Sequence, residues 1–458
     1  MTQSVGTLVI LGASGDLSSR LLLPAIGQLL TNHPERRFRL VGSGVEEWTT
    51  AHWRSVVRAS FATVEASGPA VDELLTTTSY VAADVTRPEE LTRVLDACHG
   101  APALYFALPP AITAKACAAL EKVDRPGGLT FALEKPFGVD RRSAVALNKQ
   151  LAKLVPEDRI HRVDHFLGRS TVLNLLGLRF ANSILEPLWN GDHIERVDIV
   201  YDETLALEDR ARYYDSAGAL VDMIQSHLLQ VLAVLAMEPP STLDAVDLRD
   251  AKGAVLRATR VWNGDPVESS RRARYTAGEI DGRALPAYAK EPGVDAARGT
   301  ETLAEVTVQV DTWRWAGVPF TLRSGKAIGS RRREILITFK PARHVPTGLK
   351  GATQPTKLRI MLAPDAMSLE INVNGPGDPR TVERIALTTE FGPGQLVAYG
   401  EVLEGVLDSD PSLSVRADTA VQCWRIVEPV IAAWAKDEVP LQGYRAGSAG
   451  PASWPSIG

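Results

Sequence analysis

The fold of this chain is decided by the stretch TLVILGASGDLSSRLLLPAIGQLL, residues 7–30. A continuously apolar run, Thr7–Leu11, is followed by a turn of small residues, Gly12–Asp16, and then by apolar residues at helical spacing up to Leu30. A buried strand, a small-residue turn and a helix form the first unit of a doubly wound α/β fold. Small residues let backbone N–H groups approach a pyrophosphate at the helix N-terminus, so the stretch is a candidate dinucleotide site. Its G-x-x-G spacing is shorter than the full G-x-G-x-x-G fingerprint, and a generic turn accounts for it equally well when it is taken alone.

The alternation of strand and helix continues through the first third of the chain and predicts a parallel sheet with right-handed crossovers. Ligands of such a sheet bind at the carboxyl ends of its strands. Three candidate segments lie at predicted strand ends: Gly12–Asp16, Leu108–Pro110 and Glu134–Pro136. Their coincidence favours a dinucleotide-binding domain over a generic turn. The predicted strands are 7–11, 38–42, 79–82, 103–110 and 129–134, and the predicted helices are 17–30, 49–61, 88–97, 112–120 and 143–154.

Composition excludes several classes of function. The 458 residues, 45% hydrophobic and 23% charged, are typical of a soluble globular enzyme of about two to three domains. A net charge of -5 gives no general attraction for nucleic acid or for an anionic membrane. Three scattered cysteines, Cys98, Cys117 and Cys423, suit a reducing compartment better than a disulfide framework or a metal site. We find neither a signal peptide nor a stretch long enough to span a bilayer, and therefore expect a cytoplasmic protein.

A second stretch, RVDHFLGR at residues 162–169, places a carboxylate, an imidazole and a guanidinium among apolar neighbours. Half-buried polar groups must find partners. An acid such as Asp164 can orient an imidazole, and Arg169 suits a phosphate because its planar fork matches the phosphate oxygens. Taken alone, the stretch is more typical of a strand end with its usual charged residues.

The later part of the chain predicts strands that mostly follow one another without intervening helices, which implies antiparallel pairing and an α+β domain. A long apolar helix at 213–237 carries Asp222 and His227. Five residues apart on an α-helix, these two side chains lie within about 140° of one another and can face one cleft. The tail after Leu441 is rich in Gly, Ser, Pro and Ala and is expected to be poorly ordered. The other predicted elements are helices 170–181 and 415–434 and strands 194–203, 304–310, 319–323, 335–339, 358–362 and 367–373.

Seven motifs occur together in this chain: GASGDL (12–17), ALPP (107–110), EKPFG (134–138), RVDHFLG (162–168), LRFAN (178–182), QSHLLQ (225–230) and VPFTLRSGKA (318–327). Their order and spacing resemble those of the glucose-6-phosphate dehydrogenase family. The resemblance implies a Rossmann-like α/β coenzyme domain, 1–161, and a larger α+β domain with a big mainly antiparallel sheet, 162–458, for substrate binding and oligomerisation. It also implies oxidation of glucose 6-phosphate at C1 to the lactone with hydride transfer to NAD or NADP, in a homodimer or homotetramer.

The resemblance also implies roles for individual residues. Oxidising a hemiacetal hydroxyl needs a base near neutral pKa, and a carboxylate can fix its tautomer. The family pattern makes His227 that base and Asp164 its partner, although the sequence alone does not show that they touch. Lys135 maps to the lysine placed between coenzyme and sugar. The implied coenzyme-binding residues are Gly12, Ser14, Gly15, Asp16, Leu17, Glu46, Leu108, Pro109 and Lys135.

Family positions map the 6-phosphate to His165, Phe166, Arg169 and Arg331, and the sugar hydroxyls to Glu203, Asp222 and Lys326. A structural salt bridge is the alternative for the latter three. The chain departs from the family pattern where Phe166 replaces the usual Tyr and Arg169 the usual Lys. Further departures are Ser170, where Glu is common, and Met361 and Ala363, where Arg and Gln are common. Arg332 and Arg333 are interpreted as a solvated charge run.

The coenzyme preference depends on the end of the second strand. Relatives that use NADP carry an Arg just past that strand, whereas this chain has Val45 followed by Glu46 and Glu47. A carboxylate accepts hydrogen bonds from a 2′-hydroxyl and repels a 2′-phosphate, so NAD use is favoured. The alternative is that both acids belong to the first turn of the next helix.

Two other functions remain open. The Phe166 and Arg169 departures fit a related dehydrogenase of another hexose or 6-substituted hexose. A non-catalytic paralogue that serves in assembly would be signalled by loss of the base or of the lysine, yet His227, Asp164 and Lys135 are all present.

Overall fold

A computed structural model describes residues 5–208, 211–351, 353–392, 394, 396–455 and 457. The chain divides into two compact units, each built from three segments. The predicted boundary between residues 161 and 162 lies inside the first unit, and the two later segments of that unit were not predicted. The first unit comprises Met1–Arg169, Pro240–Gly253 and Gly394–Val421, and the second comprises Ser170–Pro239, Ala254–Pro393 and Gln422–Gly458.

The first unit contains a six-stranded parallel sheet in the order β3-β2-β1-β4-β5-β6. This is the strand order of the dinucleotide-binding fold, and it reverses between β1 and β4. β1 is buried along its whole length, as expected for a strand covered on both faces. The strands are β1 Thr7–Leu11, β2 Arg39–Gly44, β3 Ser79–Ala82, β4 Pro102–Phe106, β5 Thr130–Leu133 and β6 Ile160–Arg162.

Helices connect the strands of this sheet. A short π-helix, Ser18–Leu22, precedes the first α-helix, so the backbone widens directly after the small-residue turn. α3 was not predicted, because it is only nine residues long and follows α2 closely. The α-helices are α1 Leu23–Asn32, α2 Thr50–Ala62, α3 Pro69–Thr77, α4 Pro88–Asp96, α5 Pro110–Leu120 and α6 Arg141–Ala152.

The second unit contains a ten-stranded sheet in the order β17-β16-β15-β14-β7-β13-β12-β9-β18, with β8 paired to β12. Its pairing is mostly antiparallel, as predicted, with β7–β13 and β9–β18 parallel. The separate strands β10 and β11 form a hairpin. The strands are β7 Ile194–Asp202, β8 Thr259–Val261, β9 Ser270–Thr276, β10 Gly278–Ile280, β11 Arg283–Leu285, β12 Leu303–Val310, β13 Phe320–Gly325, β14 Arg332–Phe339, β15 Lys357–Leu362, β16 Asp365–Asn374, β17 Val382–Glu390 and β18 Leu441–Arg445.

The long apolar helix of the second unit is not one regular α-helix. After α7, Ser170–Phe180, the chain forms α8, Ala211–Ala219, then a π-helix, Leu220–Leu228, and then α9, Leu229–Ala236. Within the described residues, the span Tyr213–Ala236 is long and apolar enough to cross a bilayer, which corrects the expectation from the sequence. Since 83% of its most apolar window is buried, it has the character of a core helix.

Of three further helices, only one was predicted. α10, Ala245–Ala258, and α11, Ala398–Asp408, were not predicted, whereas α12, Ala417–Ala435, was. The expectation of a poorly ordered tail is wrong. β18 extends the large sheet, and the buried side chains of Tyr444 and Trp454 supply apolar area that the Gly- and Ser-rich average composition conceals.

Candidate active site

A pocket of about 490 Å³ lies at the carboxyl ends of the strands in the first unit. Six residues assigned to the coenzyme line it: Gly12, Ser14, Gly15, Glu46, Leu108 and Pro109. The pocket is therefore at the point where the strand order reverses, as the fold predicts for a dinucleotide. Lys115, which the sequence analysis missed, also lines it, one helical turn beyond Ile112.

Gly12 has no room for a side chain. Its φ of 88° lies in the left-handed region, and an added Cβ would lie 2.4 Å from the carbonyl oxygen of Ala107. Its N–H donates to the carbonyl oxygen of Ser43 at 2.8 Å. The turn after β1 is thus packed between the ends of β2 and β4, which leaves the approach to the helix N-terminus open to a ligand.

The end of β2 is acidic. The Ser14 hydroxyl donates to Glu46 Oε2 at 2.6 Å, and the Tyr80 hydroxyl donates to the Glu46 carbonyl oxygen at 3.1 Å. Burial, together with the charges of Glu46 and Glu47, raises the pKa of Tyr80 to about 12. Val45 is 68% exposed on the pocket rim. A carboxylate held by Ser14 therefore stands at this corner of the pocket.

Three residues assigned to the coenzyme are not among the described residues that line this pocket. Asp16 is exposed, and Leu17 packs against the apolar cluster around β1 and α1. Lys135 is half-buried beyond β5. Its neighbour Glu134 accepts a hydrogen bond of 2.5 Å from the hydroxyl of the buried Tyr105.

The stretch 162–169 begins at the last residue of β6, within the first unit, and several of its side chains are buried. Asp164 is 1% exposed, and its Oδ1 accepts a hydrogen bond of 2.9 Å from the backbone N–H of Phe166. The His165 ring stacks on Tyr399, with centroids 5.4 Å apart and planes 12° apart. The Arg169 guanidinium lies 4.5 Å from the centroid of the Phe166 ring. The two departures from the family pattern thus contact each other in a cation–π geometry.

Asp222 and His227 lie on the π-helix of the second unit and are 4% and 1% exposed. An α-helix would separate residues five apart by about 140°, as the sequence analysis assumed. In a π-helix, where hydrogen bonds join residues i and i+5, two such residues lie about one turn apart on the same face. The angle between the two side-chain directions around the helix axis is therefore smaller in the observed π-helix than in the predicted α-helix.

Glu203 and Lys326, at the ends of β7 and β13, form an ion pair in the second unit. Lys326 Nζ lies 3.0 Å from Glu203 Oε2, and Arg333 Nη2 lies 3.0 Å from Glu203 Oε1. Arg333 is half-buried, with its guanidinium 4.6 Å from the centroid of the Tyr201 ring, so its interpretation as a solvated charge is wrong. Arg331, by contrast, is exposed.

Tyr214 lies beside Lys326 of this ion pair and interacts electrostatically with Asp222 of the π-helix. Lys326 Nζ lies 5.1 Å from the centre of the Tyr214 ring. Burial and then the Asp222 carboxylate raise the pKa of Tyr214 well above its usual value. Asp222, Lys326 and Tyr214 are therefore buried near one another.

The remaining departures lie on or beside strands of the large sheet. The Ser170 hydroxyl at the start of α7 donates to the carboxylate of Asp365. Met361, on β15, is half-buried, and Ala363 follows that strand directly.

Comparison with known proteins decides the family. Residues 9–174 match the model for the glucose-6-phosphate dehydrogenase NAD binding domain, and residues 176–457 match that for the C-terminal domain. The chain belongs to the glucose-6-phosphate dehydrogenase family. Both the resemblance drawn from the motifs and the predicted fold class are thereby confirmed.

Relatives match this chain of the glucose-6-phosphate dehydrogenase family over nearly its whole length. Glucose-6-phosphate 1-dehydrogenase of Zymomonas mobilis is 34% identical over 99% of this chain and 97% of its own. The crystal structure of the Mycobacterium avium enzyme has 32% identity and a TM-score of 0.84, over 98% of this chain and 95% of its own. A glucose-6-phosphate dehydrogenase in complex with glucose 6-phosphate has 28% identity and a TM-score of 0.88, over 99% of this chain and 97% of its own.

Proposed function

We propose that this protein oxidises D-glucose 6-phosphate at C1 to 6-phospho-D-glucono-1,5-lactone, the first oxidative step of the pentose phosphate pathway. The observation that carries the proposal is the buried pair Asp222 and His227 on one face of a π-helix. It occurs in a chain that matches both domains of the family.

His227 is the general base of this proposal. Its imidazole takes the proton from the C1 hydroxyl while hydride leaves C1, and a carbonyl forms there. A nicotinamide coenzyme, held by residues such as Gly12, Glu46 and Leu108, would supply the acceptor for that hydride. Asp164 orients the imidazole and stabilises the imidazolium, and Lys135 holds the sugar against the coenzyme. Asp222, Glu203 and Lys326 bind the sugar hydroxyls. General-base assistance such as that assigned to His227 contributes about 10²–10⁴-fold to a reaction rate.

His165, Arg169 and Arg331 bind the 6-phosphate in this proposal. The phosphate carries nearly two negative charges and needs several donors. Phe166 supplies no hydroxyl. Its ring instead stacks against one face of the Arg169 guanidinium and so orients the planar group that donates to the phosphate.

The coenzyme is proposed to be NAD in preference to NADP. Glu46 lines the pocket with its carboxylate held by Ser14, which suits hydrogen bonds from a ribose 2′-hydroxyl and opposes a 2′-phosphate. The double substitution Val45→Arg with Glu46→Ser should move the ratio of kcat/KM from NAD towards NADP by at least about tenfold, worth about 1.4 kcal/mol. Glu47→Gln, one residue on, is the matched control.

One experiment tests substrate and coenzyme together: steady-state kinetics of glucose 6-phosphate, glucose and other hexose phosphates with each coenzyme. We expect kcat/KM for glucose 6-phosphate to exceed that for glucose by orders of magnitude. Equal turnover of the two would favour the alternative, a dehydrogenase of another hexose, which the Phe166–Arg169 stack motivates. A strong preference for NADP would contradict the assignment of Glu46. If no sugar were turned over, the protein would have to be interpreted as the non-catalytic paralogue that serves in assembly.

We also propose that the protein works in the cytoplasm as a homodimer or homotetramer, as the family pattern implies. Light scattering coupled to size-exclusion chromatography measures the mass against the 49.5 kDa of one chain. A monomer at working concentration would contradict the proposal.

A further inference from the structure

Glu301 lies two residues before β12 and contacts the start of the helix that carries Asp222 and His227. Its Oε1 accepts a hydrogen bond of 2.9 Å from the backbone N–H of Leu220, the first residue of the π-helix. Its carbonyl oxygen accepts one of 3.3 Å from the N–H of Ala219. The first backbone N–H groups of a helix lack intrahelical partners, so Glu301 satisfies two donors at the point where α8 gives way to the π-helix.

The chain makes room for this carboxyl group at Gly218. Gly218 has φ 65° and ψ 178°, a backbone conformation that is essentially restricted to glycine. An added Cβ would lie 2.2 Å from Glu301 Oε1. The break between α8 and the π-helix and the position of the Glu301 carboxyl therefore depend on each other.

The same short segment also holds the sugar-site lysine. The carbonyl oxygen of Thr302 accepts a hydrogen bond of 2.8 Å from the N–H of Lys326, and the Thr300 hydroxyl donates to the Asp215 carbonyl oxygen at 2.6 Å. Residues 300–302 thus fix the start of the π-helix on one side and Lys326 on the other.

Burial raises the pKa of Glu301 from 4.5 to about 7, so this carboxyl lowers the stability of the folded state as the pH rises between these two values. Tyr214, Tyr288 and Arg272 are the titratable neighbours that interact with it. An apolar side chain would avoid this cost, which indicates that the hydrogen bond to the helix has a use beyond packing.

We propose that Glu301 is a positioning residue for the proposed dehydrogenase reaction: by holding the first residue of the π-helix, it sets the register of His227 and Asp222 relative to Lys326. This inference rests on the proposed function of His227. It concerns only contacts within the second unit.

The test compares Glu301→Met, which removes the acceptor, with Glu301→Gln, which keeps an acceptor oxygen. The Met variant should lose about 10- to 100-fold in kcat, because a misplacement of the order of 1 Å far from the chemistry is that costly. Its KM for the coenzyme should change less than twofold, since the coenzyme pocket lies in the first unit. The Gln variant should keep at least a third of the wild-type kcat.

Gly218→Ala perturbs the same contact from the other side and should reproduce the Met variant. Gly282→Ala is its matched control, because Gly282 also has positive φ, 77°, but an added Cβ there meets nothing within 4 Å. A folded Met variant with unchanged kcat, or a Gln variant as impaired as Met, would overturn the proposal. Equal changes in kcat and in the coenzyme KM would also overturn it, because they would indicate general destabilisation.

A second readout separates this proposal from the assignment of the reaction. In ¹⁵N-histidine-labelled protein, the His227 resonance, assigned with His227→Asn, should shift in Glu301→Met and Gly218→Ala and stay in place in Glu301→Gln and Gly282→Ala. An inactive wild type with these shifts would contradict the reaction and leave the positioning role intact. An active wild type without them would contradict the positioning role.

Discussion

The stack of Arg169 on Phe166 changes how the proposed phosphate contacts are to be understood. Phe166 removes one hydroxyl donor from the proposed phosphate site, and Arg169 keeps the positive charge but changes its reach and geometry. Together they place a guanidinium 4.5 Å from a ring centroid. The sequence identified both residues but not their contact, because adjacency in space at i and i+3 depends on the local turn, Asp164–Arg169.

His227→Asn should lower kcat by about 10²–10⁴-fold, because it removes the general base while keeping a hydrogen-bonding side chain of similar size. KM for the sugar should change little, since the hydroxyl contacts are assigned to other side chains. Steady-state kinetics measure both constants.

His193→Asn is the control, since His193 is an exposed histidine of the same unit. If the His227 variant kept more than about a tenth of the wild-type kcat, the base would have to be sought elsewhere.

The difference in thermal stability between Glu301→Gln and wild type should increase in favour of the variant as the pH rises. The unfolded carboxyl loses its proton near its ordinary pKa of 4.5, whereas the folded one keeps it until about 7. Between these values the folded state binds more protons, so wild-type stability falls as pH rises, by about 1.4 kcal/mol per unit of pKa difference.

Differential scanning calorimetry at pH 5 and pH 8 measures the effect of Glu301→Gln. The Tm of the Gln variant minus that of wild type should be larger at pH 8. A difference that is the same at both values would show that the carboxyl is not buried in its neutral form.

Secondary-structure elements show where sequence patterns succeed. β1 and β3 have the predicted bounds, because short apolar runs between turn residues leave little choice. α10, rich in charge, and β17, whose residues are mostly exposed at the sheet edge, were missed because neither presents a clear apolar face. The π-helix Leu220–Leu228 could not be predicted from its own residues, and the carboxyl that accepts from its first N–H, that of Glu301, lies 81 residues away in the sequence.

Arg179 secures the other end of the helix that carries His227. This buried side chain donates to the carbonyl oxygens of Leu235 and Met237 at 2.9 and 2.8 Å, and burial lowers its pKa to about 10. Arg179→Met leaves carbonyl oxygens and Glu186 without that donor and should lower the free energy of unfolding by about 3–5 kcal/mol.

Thermal unfolding of Arg179→Met measures this loss, with Arg260→Met as the control. Arg260 also pairs with a carboxylate, Asp311, but its side chain is 60% exposed, so its loss should cost at most about 1 kcal/mol. Equal Tm values for the two variants would contradict the structural role of Arg179.

Glu157 joins the three segments of the first unit. Its Oε1 accepts from Arg162 Nη1 at 2.7 Å, from Arg249 Nη2 at 3.0 Å and from the Ala417 N–H at 2.9 Å. The sequence did not indicate this centre, because its members are spread over 260 positions.

Glu157→Gln should destabilise the first unit by about 3–5 kcal/mol, because Arg162 and Arg249 stay buried after the charge that pairs them is removed. Limited proteolysis should then cut the segments of this unit sooner than in wild type. Glu89→Gln, an exposed acid of the same unit, is the control. Unchanged cleavage would show that apolar packing alone holds the segments.

Because the first unit closes only with residues 394–421, its folding cannot finish while the ribosome is still translating the middle of the message. Leu403 and Val406 complete the same apolar cluster as Leu22 and Ile26, so the nascent chain presents that surface until these two residues have been translated. A nonsense mutation upstream of codon 394 therefore yields a coenzyme domain with an uncovered apolar face, a product suited to chaperone capture and degradation.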